Sequence, residues 1–291
     1  MRTSAGIFAV AILFLIANHS QGTAAETKLE DARLGPGAEQ HWIKVVRDVI
    51  QHEVDAEAHD NSLWCYRKLK ENNGEEHVFE ACQAKGAEID RLMSVNGKAL
   101  DEREQQAEDE RIEHLLRDPD TLEKKAQERR EDAKRAAKML RLIPNAFLFQ
   151  KESIDGDVVR LRFTPNPDFH PLGHEANVFH HMDGTLTLNL KQKRLAEING
   201  YLSSKVEFGY GLLGHLDQGG TFLVKQQEVG PGFWEIATLD VNMHGKALFF
   251  KTIGVQQKEI DNKFQRLPAT LTIEQAAAMT KNRTTKTAER K

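Results

Sequence analysis

Two periodicities divide the chain. In residues 39–59, Trp42, Val46, Val49, Ile50 and Val54 recur at helical spacing and give one apolar face, which predicts a helix packed on a sheet. Residues 62–71, 76–84 and 88–95 then read as strands, and Asn96-Gly97 closes this short β section. Residues 101–140 follow neither pattern strongly: 23 of these 40 positions are charged and none is Gly, so the stretch reads as solvated helix. Asp118-Pro119-Asp120 splits it into two helices. Glu113 and Arg117, like Glu131 and Arg135, stand at favourable i,i+4 spacing. Ile112, Leu115 and Leu116 edge the first helix, and Leu122, Ala126, Ala133, Ala137 and Leu140 form a thin stripe on the second.

From Pro144 to Pro268 the period changes to two. Strands are expected near 146–153, 157–164, 176–182, 185–190, 194–198, 201–208, 221–228, 232–243 and 246–257. Asp155-Gly156, Asp183-Gly184, Asn199-Gly200 and His244-Gly245 punctuate them as hairpin turns. The fold class is therefore α+β: a large curved antiparallel sheet or open barrel, with an N-terminal helix and a charged helical insertion at 101–142. Strict alternation puts Trp234 and Ile236 on one face and Phe233, Ala237, Leu239 and Val241 on the other. In the next strand Phe249, Ile253 and Val255 oppose Leu248 and Phe250. Apolar groups on both faces are expected to meet helices on one side and a cavity or the barrel's own core on the other.

Residues 1–25 read as a secretory signal: Arg2, then the apolar run Ala5 to Ala17, then small residues ending at Ala25. An uncleaved anchor is the alternative, although the run is shorter than the roughly 20 residues of a membrane span. Cleavage would leave 266 residues (291 minus 25), and loss of Arg2 would take the formal charge from −4 to −5. That balance disfavours a nucleic-acid footprint. Residues 26–268 read as one β-rich domain and 269–291 as a mobile basic tail.

Export permits a disulfide. Asn73-Gly74 is a strong hairpin signal, and counting outward from a two-residue turn there sets Cys65 opposite Cys82. The pair falls at a non-hydrogen-bonded position, where Cα atoms lie about 4.5 Å apart, a spacing a disulfide tolerates. Two buried free thiols are the alternative.

Other candidate chemistry is sparse. Gly209-Tyr210-Gly211-Leu212-Leu213-Gly214 matches a dinucleotide fingerprint, but a strand rather than a helix is expected after it. His170, His174, His180, His181 and Asp183 are the densest metal-type group, yet a strand at 176–182 would send His180 and His181 to opposite faces. No cofactor or metal is expected. Ser203 and Ser204 lack a nucleophile elbow, and no catalytic constellation is visible. Pro165-Asn166-Pro167-Asp168-Phe169 reads as a rigid loop.

The segments VNGKAL (Val95 to Leu100), FTPNPDF (Phe163 to Phe169), MDGTLTLN, FGYGLLGHLDQGG (Phe208 to Gly220) and GKALFFKT (Gly245 to Thr252) resemble a group of uncharacterised exported bacterial proteins, notably of soil acidobacteria. The resemblance spans roughly residues 40 to 268 and implies no activity. The order of elements is similar to that of periplasmic lipoprotein carriers and related sigma-regulatory and mycobacterial lipoprotein folds. That similarity implies an open barrel with an apolar face for acyl chains. The leading expectation is a periplasmic or secreted protein that binds a lipid, lipoprotein acyl chain or other apolar ligand, with Phe222, Trp234, Ile236 and Phe249 lining the site. The same residues as ordinary core are the alternative. A second class is an envelope structural or interaction module that meets a protein partner through helices 101–140.

Overall fold

The computed structural model describes residues 38–170, 175–208, 214–247 and 251–288. The expected signal segment lies outside them. Helix α1 is Ala38–His59. Strands β1 (Leu63–Asn72), β2 (Glu75–Ala84), β3 (Ala87–Val95) and the two-residue β4 (Lys98–Ala99) follow as a meander. Helices α2 (Glu102–Leu116) and α3 (Pro119–Ala146) come next. The second β section comprises β5 (Phe147–Asp155), β6 (Val158–Pro165), β7 (Met182–Asn189), β8 (Arg194–Leu202), β9 (Val206–Phe208), β10 (Gly214–Leu216), β11 (Thr221–Gly230), β12 (Phe233–Ala247) and β13 (Lys251–Leu267). Helix α4 (Ile273–Ala288) ends the described chain.

All of these strands join one antiparallel sheet of thirteen, in the order β4-β3-β2-β1-β13-β12-β11-β8-β7-β6-β5, with β9 and β10 attached beside β12. The sheet is not closed: β4 and β5 are its edges, and the α2–α3 pair carries the chain from one edge to the other. Asp101 opens α2 as a capping box with Glu104, and Asp118 caps α3, whose first residue is Pro119. Glu113 and Arg117 pair at 3.0 Å, whereas Arg135 pairs with Asp132 rather than Glu131.

The two faces carry different covers. On the inner face, Ile43, Val46, Val49, Ile50 and Val54 of α1 and Met139, Leu140 and Ile143 of α3 pack on Phe149, Leu161, Leu186, Ile198, Phe222, Val224, Ile236, Leu239 and Val241. Register continues this face from Leu239 to Glu259, then to Lys70. Trp64, Tyr66 and Lys68 share it by alternation, and Cys65 points outward. On the outer face α4 lays Ala276 over Leu63, Cys65, Cys82 and Leu267.

The Asn73-Gly74 turn has positive φ at both residues, 51° and 83°, as a type I′ hairpin requires. It pairs Asn72 with Glu75 and Cys65 with Cys82, whose disulfide spans Cα atoms 4.1 Å apart.

Four expectations are corrected. Residues 269–291 do not form a loose tail as far as they are described. Thr272 accepts from the Gln275 backbone N–H and Gln275 from that of Thr272, which caps α4. Its Ala276 and Thr280 are fully buried, and Arg283 donates to Glu80 at 2.8 Å. Residues 176–182, expected as a strand, are largely the short 3-10 helix Glu175–His181. The apparent two-sided apolar pattern of β12 comes from a bulge: Lys225 faces Thr238 and Gln226 faces Ile236, so Ala237 is the extra residue. Ile236 thereby shares the inner face with Leu239 and Val241.

The fourth concerns glycine. Gly184, Gly200 and Gly245 lie inside strands rather than in turns. Gly184 and Gly200 are register partners, flanked by Phe163 and Phe222. A Cβ on Gly184 would stand 2.7 Å from the Phe163 ring and 2.1 Å from the Asn199 carbonyl oxygen; one on Gly200 would stand 2.5 Å from the Phe222 ring. The rings occupy the space these glycines leave.

Two outcomes follow for stability. Gly184→Ala or Gly200→Ala loses about 1–3 kcal/mol through overpacking. Gly254→Ala, with no atom within 4 Å of the new Cβ, stays within about 0.5 kcal/mol. Urea unfolding of the three variants checks this, and equal losses would refute the packing account. Cys65→Ala/Cys82→Ala loses about 3 kcal/mol, the scale for a short closed loop. Urea midpoints with and without reductant test that loss: reductant shifts the native midpoint and leaves the double variant unmoved.

Candidate functional site

A cleft of about 500 Å³ opens where the C-terminal end of α1 meets the start of β1, the β11–β12 turn and the end of β13. Its lining includes Asp60, Ser62, Arg194, Phe233, Trp234 and Arg266. Its floor is a buried polar knot. Glu53 of α1 accepts from Arg194 Nη2 at 2.8 Å, from Gln226 Nε2 at 2.9 Å and from the Leu195 backbone N–H at 3.2 Å. Arg194 is 8% exposed and its guanidinium lies 6.0 Å from the Trp234 ring centre. The Trp234 indole N–H donates to Gln192 Oε1 at 2.6 Å. At the mouth, the Arg266 guanidinium sits 4.1 Å from the centre of the Phe233 ring.

Further along the inner face, β1, β3 and β13 gather charge. Lys68 Nζ donates to Glu88 at 2.7 Å and to Asp90 at 2.9 Å, and the Tyr66 hydroxyl donates to Glu88 at 2.7 Å. Burial disfavours the Lys68 ammonium, but Asp90 and Glu88 outweigh it and hold its pKa well above the usual range. Burial pushes the Glu88 carboxyl up, while the charge and hydrogen bond of Lys68 and the hydrogen bond of Tyr66 bring it down to about 2. Asp261 is different. It lies opposite Lys68, is 3% exposed, and has no hydrogen-bond partner for Oδ1 among the described residues. Burial first, then the neighbouring Glu259, raises its pKa to about 9. Around neutral pH this carboxyl is protonated.

The expected lining residues separate. Phe222 and Ile236 are closed in the core beneath α1, 3% and 4% exposed. Trp234 lines the cleft. Phe249 lies outside the described residues. Arg194, Glu53, Phe233 and Arg266 complete the cleft and its floor without having been anticipated. Arg194 follows the Lys191-Gln192-Lys193 turn and Arg266 ends the last strand, positions where a cation is ordinarily read as surface.

The remaining motifs hold structural places. Gly214 begins β10, and the next element is β11, so no helix follows the glycine motif; residues 209–213 lie outside the described set. His181 Nδ1 and Ser204 Oγ are 2.7 Å apart at an exposed bend away from the cleft. Burial and His180 lower the His181 pKa. His180 packs on Phe169, and His174 is outside the described residues. Among the described residues no group of three His, Cys, Asp or Glu side chains is placed to hold a metal ion, and no helix is long and apolar enough to cross a membrane. Asn166 donates to the Asn145 carbonyl at 2.9 Å and ties the Pro-rich loop to the end of α3. Comparison with protein-family models, curated proteins and solved structures gives no match.

The protonated Asp261 sets a pH dependence with a definite sign. Between its ordinary value of 3.8 and about 9 the folded carboxyl holds a proton that the unfolded chain has released, so stability falls as pH rises across that window. Asp261→Asn removes this slope and is more stable than the native protein at pH 8. Urea midpoints from pH 5 to 8 check it; parallel profiles for the two proteins would show that Asp261 is ionised in the fold.

Proposed function

We propose that the protein is an exported binding protein that holds a lipid, a lipoprotein acyl chain or another apolar ligand on the inner face of its sheet. The observation that carries this reading is the construction of that face. Its half between β5 and β12 is apolar, it belongs to a sheet that is not closed, and its cover is helical. Apolar surface beneath separable helices is a usual form of ligand site. Here α1 packs on that face, so binding there would require α1 to move from the sheet. The Cys65–Cys82 disulfide suits an oxidising compartment.

A protein-interaction role without a small ligand is the second reading. It is favoured by the exposed, charged outer faces of α2 and α3. Removing the whole insertion does not separate the two, because Met139, Leu140 and Ile143 of α3 belong to the core.

Native mass spectrometry of protein released gently from the cell envelope, followed by organic extraction, decides between them. The expected spectrum shows a mature chain lacking residues 1–25, carrying a lipid or acylated peptide of defined mass. Protein that is empty and takes up no fluorescent fatty acid would sink the carrier reading and leave the interaction module.

A further inference from the structure

We propose that the cleft at the end of α1 receives the acidic head group of an amphiphilic ligand, with Arg266 as its first contact. This rests on the ligand-binding reading above and names the chemical class of the ligand. Three features of the cleft support it.

The Arg266 side chain is exposed and makes no hydrogen bond or ion pair among the described residues. Its guanidinium is nevertheless placed, because it stacks on Phe233 at 4.1 Å. Stacking uses the face of the guanidinium and leaves its N–H edge free for a carboxylate or phosphate. The ring beneath is itself fixed: Phe233 meets Trp64 edge-on with ring centres 6.0 Å apart, and the Trp64 indole donates to Ser62 at 2.9 Å. A guanidinium held in advance loses less freedom on binding than one on an unsupported stem.

The second cation, Arg194, lies deeper and is already engaged by Glu53. It therefore adds positive edges to the wall without being the free charge. One acid of the lining is committed as well: Asp60 Oδ1 accepts from the Ser62 backbone N–H at 2.6 Å. The third feature is continuity. Trp234 and Arg194 connect the mouth to the contact between α1 and the sheet, where Val54, Leu195, Val224 and Ile236 lie. A molecule with its acid at Arg266 would point its apolar part at that contact.

The test is a fluorescence titration of the full mature protein with cis-parinaric acid and with its methyl ester, in native, Arg266→Gln and Arg141→Gln forms. Arg141 is exposed on α3 and serves as the distant charge control. The acid is expected to bind about tenfold or more tighter than the ester, the scale of a charge-assisted hydrogen bond. Arg266→Gln abolishes that preference and leaves ester affinity unchanged, and Arg141→Gln behaves as native. Inorganic phosphate at matched concentration does not displace the acid. Equal affinities for acid and ester in the native protein would overturn the head-group assignment while sparing the binding reading, as would an undiminished preference in Arg266→Gln. Displacement by inorganic phosphate would reassign the cleft to a free anion. If neither probe binds, the ligand-binding reading fails and takes this one with it.

Discussion

Strands β1 and β13 come from opposite ends of the chain, and only their ladder joins the two β sections into one sheet. The register runs from Leu63 opposite Leu267 to Asn72 opposite Gln257, with one irregularity near Tyr66 where Lys263 takes a positive φ of 54°. What this seam positions is disproportionate to its length. On the inner side it sets Lys68 against Asp261 and Lys70 against Glu259. On the outer side it brings Leu63, Cys65 and Leu267 together under α4. At its Leu267 end it brings Arg266 to the end of α1, which makes the cleft. Such pairing is entropically expensive to form because the intervening chain must be ordered first. The disulfide between β1 and β2 removes part of that cost locally by fixing one partner of the seam in its hairpin.

The helices divide the sheet by chemistry. α1 presents a continuous aliphatic stripe and meets the apolar half of the inner face, between β5 and β12. At its contact α4 buries the small side chains Ala276, Ala277 and Thr280, with Ile273 and Met279 partly buried beside them, and so can approach β2 and β3 closely. Polar contacts add to it there: Arg91 meets Thr280 at 3.2 Å, Arg283 meets Glu80 and Lys281 meets Asp109 at 2.7 Å. The same need for shape explains the paired glycines. Phe163 and Phe222 are large side chains opposite positions with no side chain, so ring and backbone share one layer of the core.

These details mark how far the amino-acid sequence could be read. The Asn73-Gly74 hairpin, the cysteine pairing, α1 and the division at Pro119 were legible because each rests on local chemistry: a φ requirement, a count of residues, a helical period, a missing N–H. Gly184, Gly200 and Gly245 misled because a glycine chosen for space looks in one dimension like a glycine chosen for φ. The bulge at Ala237 inverted the apparent facing of Ile236 relative to Leu239, since a period of two flips after one inserted residue. α4 hid behind an alanine and threonine composition, although Thr272-Ile273-Glu274-Gln275 is a capping box in plain view. The cleft was illegible because its parts, Glu53, Arg194, Phe233 and Arg266, lie far apart in sequence. The β1–β13 seam, the β8–β11 and β11–β12 pairings and the packing of α1 bring them to one place.

The balance of forces on α1 points to where opening would be controlled. An apolar ligand that replaced Ile43, Val46, Val49, Ile50 and Val54 on the sheet would exchange one apolar contact for another. The hydrophobic term, proportional to area, would nearly cancel in that exchange. The knot of Glu53 with Arg194, Gln226 and the Leu195 N–H has no apolar substitute. Breaking it inside the fold would strand a buried charge, which costs several kcal/mol. Breaking it by withdrawing Glu53 into water returns the solvation of the carboxylate and leaves Arg194 in need of another anion. The cleft stands immediately above Arg194. If the sheet does take an apolar ligand, whether α1 stayed or left would thus be decided less by the broad apolar contact than by which carboxylate, phosphate or water met one guanidinium at its edge.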